Sequence, residues 1–272
     1  ASVWRPKPHG FSYKRKREET ANFIRPRNDN DCMETSLHRD LKEYYAGREA
    51  RFEEPVDGYR IDVVTRGGRL IEIQHSALAS IRDKIGKLLK DHKVHVVKPI
   101  VARKRLIKLS EKDGEVVSKR YSPKRCDVLD VFHELLHFTR VFPHKNLTLD
   151  VPIVEVEEWR YPGHGRRRRW RKNDFVVADQ HLTSVHEIYR LRKASDLTAL
   201  LGARLDSDFP KNFDTGQLAE SLDISRWTAQ RIAYCLREMG AAKEVEKRGN
   251  AKVYRFTRMR RTPTIVSNLR GL

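Results

Sequence analysis

Residues 60–76 restrict the fold of this chain more than any other segment. Arg60-Ile61-Asp62-Val63-Val64 and Leu70-Ile71-Glu72-Ile73-Gln74-His75-Ser76 are two short apolar runs separated by Gly67-Gly68. Runs of this length, rich in Val and Ile and joined through a glycine pair, predict an antiparallel hairpin. Side chains alternate faces along a strand, so Glu72 and Gln74 point the same way, and a paired neighbour presents Asp62 beside them. Glu72 sits between Ile71 and Ile73 in an otherwise apolar strand, where an acid without a partner is costly. Two carboxylates and an amide at a strand end, with the Ile73 carbonyl between Glu72 and Gln74, suit Mg²⁺ or Mn²⁺, hard cations that take oxygen ligands and keep several waters.

These residues resemble the core of the PD-(D/E)XK nuclease superfamily, with Gln74 where the usual pattern has lysine. The fuller run Arg60-x-Asp62 followed by Ile71-Glu72-Ile73-Gln74-His75-Ser76 resembles the CoiA-like, competence-associated branch, which also carries glutamine there. The run Glu34-Thr35-Ser36-Leu37-His38, with Leu41-Lys42, is similar to that branch's first helix. The resemblance covers residues 31–109. It implies a restriction-endonuclease-like α/β fold: a mixed sheet flanked by helices, with a metal site at one edge. It also implies phosphodiester hydrolysis, with Asp62, Glu72 and the Ile73 carbonyl as metal ligands. Glu34 is implied as a further acid near the metals, and Ser76 as a ligand for phosphate or water. Gln74 can orient water but brings no charge, and Lys84 on the following helix can supply the missing cation. His75 faces the opposite side from Gln74 and reads as a packed or solvated residue.

Charge points to the partner. Lys and Arg number 56 against 37 Asp and Glu, a net +19, and an excess of this size fits a polyanion such as DNA. Three separated cysteines, Cys32, Cys126 and Cys235, with no CxxC pair, argue for reduced thiols in a cytoplasmic setting, nucleoid-associated if the source is bacterial. No run approaches the roughly 18 apolar residues of a membrane span.

The chain divides by pattern into five segments. Residues 1–30 read as a basic arm, and 31–158 as the nuclease-like domain. Within that domain helices are expected over 33–45, 77–91 and 127–142 and strands over 94–101 and 106–109, with an Asp113-Gly114 turn leading into Val116-Val117, and an apolar stretch over 147–156 completes it. Residues 159–208 read as a basic loop bearing Arg166, Arg167, Arg168 and Arg169, then a linking helix near Val185–Arg192. Residues 209–260 follow the winged-helix pattern, a small α+β domain: helix 216–222, a turn at Asp223-Ile224-Ser225, helix 226–239 stopped by Gly240, and a hairpin around Gly249. Residues 261–272 form a basic tail.

On that plan Arg226, Trp227, Gln230 and Arg231 occupy the first turns of the helix that would enter a DNA groove. Lys247, Arg248, Asn250 and Lys252 lie on the wing, placed for phosphates. Arg166, Arg167, Arg168 and Arg169, with Trp159 and Trp170, suit a nucleic-acid backbone and a stacked base, and suit a flexible charged loop equally well. His133-Glu134-Leu135-Leu136-His137 spells HExxH, a zinc-peptidase pattern, although both histidines fall on the polar arc of a helix whose other arc is core. The leading expectation is a Mg²⁺-dependent DNA endonuclease, acting on branched or otherwise unusual DNA as one form of the activity. The alternative is a DNA-binding regulator whose nuclease fold has lost activity with its lysine. A homodimer is compatible with either.

Overall fold

The computed structural model describes residues 11–12 (backbone only), 35–163 and 175–266. In chain order these form β1 (Phe11–Ser12), α1 (Ser36–Tyr45), β2 (Arg51–Val56), β3 (Tyr59–Val64), β4 (Leu70–Ile73), α2 (Arg82–Leu88), β5 (Val94–Val97), β6 (Ile100–Leu109) and β7 (Val116–Tyr121). There follow α3 (Val131–Leu135), β8 (Leu147–Pro162), β9 (Phe175–Leu191), α4 (Ala194–Gly202), β10 (Phe213–Asp214), α5 (Thr215–Leu222), α6 (Arg226–Glu238), β11 (Ala242–Arg248), β12 (Ala251–Phe256) and β13 (Ile265–Val266). Short 3-10 turns at Leu78–Ile81 and Val128–Asp130 lead into α2 and α3. The fold is mixed α/β, a large mixed sheet flanked by helices. No helix among the described residues is long and apolar enough to cross a membrane.

The chain forms two compact units, and β8 and β9 are long enough to take part in both. One unit holds residues 44–100, 126–153 and 187–272. Its sheet runs β9-β8-β5-β4-β3-β2, with β13 also on β9. β2, β3 and β4 are antiparallel, whereas β4, β5 and β8 are parallel. On β5, Val94 and Val96 pack with Ile81, Ile85 and Leu88 from the α2 segment and with Phe132 and Leu135 of α3. His95 points to the other face, where its ring meets Tyr45 edge-on. There Asp150 accepts two 2.8 Å hydrogen bonds from Arg190, and His95 Nε2 lies 3.0 Å from the same carboxylate. Burial pushes the Asp150 pKa up, but Arg190 and His95 outweigh it and hold the carboxyl below its ordinary value.

The other unit contains residues 1–43, 101–125 and 154–186. The β6–β7 hairpin joins β8, and β1 pairs with β9. The Asp179 carboxylate accepts from the Ser36 backbone N–H at 2.9 Å, and so caps the N-terminus of α1 from outside the helix.

Several sequence expectations need correction. Residues 185–191 are the end of strand β9, not a linking helix; of these only Ile188, Arg190 and Leu191 are buried, and β13 pairs with this edge. The helix expected over 127–142 is instead a 3-10 turn, capped at its start by Asp127 and Asp130, and the five-residue α3. The single strand expected over 94–101 stops before Lys98-Pro99, since proline has no N–H for a ladder, and β6 begins anew at Ile100. Strand β2 was not anticipated. Its signal was the Asp57-Gly58 pair, with both φ values positive, turning β2 into β3.

Phe213, Leu218, Ile232 and Leu236 belong to the same continuous core as Val128, Phe132 and Leu135. Residues 209–260 therefore fall in one compact unit with the strands that carry Asp62 and Glu72.

Candidate active site

The hairpin register builds the site. Val63 pairs with Ile71 and Val64 with Leu70, and continuing that register sets Asp62 across from Glu72. Residues opposed in this way share a face, with Cβ atoms about 5 Å apart. The Asp62 carboxylate also accepts a 2.7 Å hydrogen bond from the Ile73 backbone N–H, which ties it to the neighbouring strand. Every residue of β4, Glu72 included, is buried.

Lys84 meets that acid. It lies three residues after Ile81 and four before Leu88, both buried, which places it on the inner edge of α2. Its Nζ donates at 2.6 Å to Glu72 Oε1 and at 2.6 Å to the Arg60 carbonyl. Asp62, Glu72 and Lys84 are thus brought together. Two carboxylates on one face match the hard-oxygen donors that Mg²⁺ or Mn²⁺ takes. Glu34 lies outside the described residues.

Gln74 takes a different place. Its backbone N–H continues the ladder to Val97 O at 2.9 Å. Its side-chain amide donates to Ser76 Oγ, to Ala77 O at 3.0 Å and to Ser80 Oγ at 2.8 Å. The amide therefore shapes the turn between β4 and α2. Ser76 and His75 are exposed on that turn.

Lys98 was missed. It is 3% exposed, and its Nζ donates to the carbonyls of His75 and Ser76 while lying 3.5 Å from Glu134 Oε1. Burial holds its pKa below the usual lysine value, against the pull of Glu134. Glu134 Oε2 also accepts from the Leu78 N–H at 2.9 Å. Lys98 and Glu134 together clamp the turn that follows Gln74. The available signal was a lone lysine closing the apolar run Val94–Val97.

The HExxH residues accordingly diverge. Glu134 serves the clamp, His133 turns to α6, and His137 is exposed. Among the described residues, no group of three or more His, Cys, Asp or Glu side chains converges as a metal site.

The C-terminal elements follow local rules closely. Asp214 caps α5 through Gly216 and Gln217, and Ser225 caps α6 through Thr228. Asp223 joins the helices in a left-handed conformation, and Gly240 ends α6 with φ +74°. β10, β12 and β11 form a small antiparallel sheet. Arg226, Trp227 and Gln230 are exposed on the first turns of α6. Arg231 is turned inward: its guanidinium covers the Trp227 ring at 3.5 Å and lies 3.2 Å from His133 Nδ1. Lys247, Arg248, Asn250 and Lys252 are exposed, with Arg248 paired to Glu246 and Lys252 to Glu244 on the same hairpin. Arg166, Arg167, Arg168 and Arg169 lie outside the described residues.

A family model for a domain of unknown function, DUF8091, matches residues 35–192. The match begins at α1 and ends just past β9, so it takes in Asp62, Glu72, Gln74 and Lys84 but not α4 through β13. An uncharacterized protein of Treponema pallidum (strain Nichols) is 31% identical over 229 residues, 83% of this chain and 86% of the relative. No solved structure matches the chain.

Proposed function

The chain belongs to the DUF8091 family, a domain of unknown function, and for this member we propose a metal-dependent nuclease that hydrolyses phosphodiester bonds in DNA. The observation that carries the reading is the opposed pair Asp62 and Glu72, with the Lys84 ammonium 2.6 Å from Glu72. An acid and an amine held in the same apolar setting are expensive to keep unless their positions matter. In this reading β2, β3, β4, α2 and β5 form a PD-(D/E)XK-like core, and α5, α6, β11 and β12 a winged helix that helps hold DNA.

Asp62, Glu72 and the Ile73 carbonyl would hold Mg²⁺ or Mn²⁺. Bound there, the cation lowers the pKa of a water and polarises the phosphate. Lys84 offsets charge at the edge where the phosphate arrives, the role usually given to lysine at the Gln74 position. Gln74 orders the turn that presents Ser76. The net charge of +19 supplies long-range attraction for the polyanion.

The engagement of the Gln74 amide by Ser76, Ala77 and Ser80 favours a second reading. Without a charge at that position, the protein would bind DNA as a regulator and not cut it. Plasmid and branched DNA incubated with the protein and Mg²⁺ or Mn²⁺ separates the two. The nuclease reading expects cleavage that drops at least about 100-fold in Asp62→Ala and in Glu72→Ala, with DNA affinity nearly unchanged. Binding without any cleavage by the wild-type protein favours the regulator.

A further inference from the structure

Trp227 is 53% exposed, yet its surroundings are ordered. Arg231, one turn along α6, lays its guanidinium over the indole at 3.5 Å. From α3, the His133 ring approaches to 5.1 Å between centroids at a tilt of 35°. His133 and Arg231 are linked at 3.2 Å, so His133 Nδ1 is the acceptor and its Nε2 faces Asp130 Oδ1 at 3.7 Å. The indole is therefore held by a cation and a second ring while half of its surface meets solvent. An aromatic face prepared in this way loses little freedom when a planar ligand stacks on it.

The packing of α6 argues against insertion of these turns into a duplex groove. A recognition helix must stand clear along its N-terminal turns, because walls of DNA rise on both sides of it. Here those turns lie against α3, and further along the helix the Cys235 thiol donates to the Phe132 carbonyl at 3.6 Å. Arg231, the long side chain best placed to reach a base edge, is engaged with His133. We propose that Trp227, backed by Arg231 and His133, is a stacking platform for an unpaired nucleobase. Its ligand is then a DNA strand with exposed bases, such as a single-stranded segment, an overhang or a branch point. The exposed Arg226 beside it offers charge to the adjoining phosphate. The inference rests on the nucleic-acid reading above and specifies its substrate. Its link to the candidate active site is short: His133 steadies the platform, and the next residue, Glu134, holds Leu78 and Lys98 at the turn after Gln74.

The test measures binding alone, in EDTA at fixed salt. Anisotropy is read with the full chain on labelled oligo-dT and on a duplex of equal length. Trp227→Ala should weaken oligo-dT binding on the order of tenfold and duplex binding about twofold or less. Trp227→Phe, which keeps an aromatic face, should retain most of the affinity. Adding oligo-dT should also quench tryptophan emission more in the wild type than in Trp227→Phe. Equal losses on both DNAs, no loss on either, a Phe variant as weak as the Ala variant, or identical quenching would each overturn the platform. Because no divalent cation is present, failure of the wild type to cut DNA in the separate Mg²⁺ assay removes the nuclease reading and leaves this result intact.

Discussion

The sheet around β4, β5 and β8 and the β11–β12 hairpin both carry opposed charges, but in contrasting settings. In the Glu72–Lys84 pair the side chains are 10% and 18% exposed; in the Glu244–Lys252 pair they are 34% and 47% exposed. Asp150, with Arg190 and His95, extends the buried set. A buried charge depends on the one partner that offsets its desolvation, so its geometry is held. An exposed pair competes with water and salt and can exchange its partner for a phosphate. The buried set is thus suited to chemistry that needs fixed positions, and the hairpin to docking a mobile polyanion.

The largest effect on folding is expected at Asp150. Asp150→Asn leaves the Arg190 guanidinium with half of its pairing and should cost about 3–5 kcal/mol, read from urea unfolding near neutral pH. The pH dependence follows from a folded-state pKa below the unfolded one. That stabilisation is fully present above the unfolded carboxylate value, about 4, and is lost as pH falls from there through the lower folded value. The variant should show a shallower loss below about pH 4 than the wild type. An equally steep loss would remove Asp150 from the account.

Lys84→Met comes next. It removes the ammonium beside Glu72 and should destabilise the protein by about 3 kcal/mol, with a larger proportional loss of Mg²⁺-dependent cleavage than of DNA affinity. Unchanged stability would mean that Glu72 is satisfied without Lys84, which weakens the contrast drawn between the two regions.

Lys252→Met should be the mildest. Its urea midpoint should match the wild type, while the slope of log affinity against log salt concentration should become shallower by about 1 if the residue meets a phosphate. A stability loss resembling that of Lys84→Met would show that the exposed pair is held as firmly as the buried one.

Much of the C-terminal local structure and the central hairpin was legible in the sequence because short-range rules decide it. The Ile-Asp-Val-Val and Leu-Ile-Glu-Ile runs around Gly67-Gly68 specify two strands with Asp62 and Glu72 on one face, and no distant contact is needed for that. Asp214, Ser225 and Gly240 bound α5 and α6 through caps that act within a few residues. Lys84 was also accessible, since helical spacing alone puts it at the edge of the Ile81–Leu88 stripe.

Tertiary structure decided the rest. Lys98 meets the turn of His75 and Ser76 from 23 and 22 residues away, and Arg231 meets His133 across 98. No periodicity within a window can reveal a partner that lies on another element. The same limit explains residues 185–192, whose mixed composition suits a helix or a strand until β13 supplies the neighbouring edge. It also explains why HExxH misleads. Its spelling places two imidazoles and a carboxylate within one turn and a half, but burial and long-range pairing assign Glu134 to Lys98 and His133 to α6. Sequence by itself determined which residues share a local face; only the packed structure determined which of those faces meet, because the energy of a buried charge depends on partners that the chain brings in from far away.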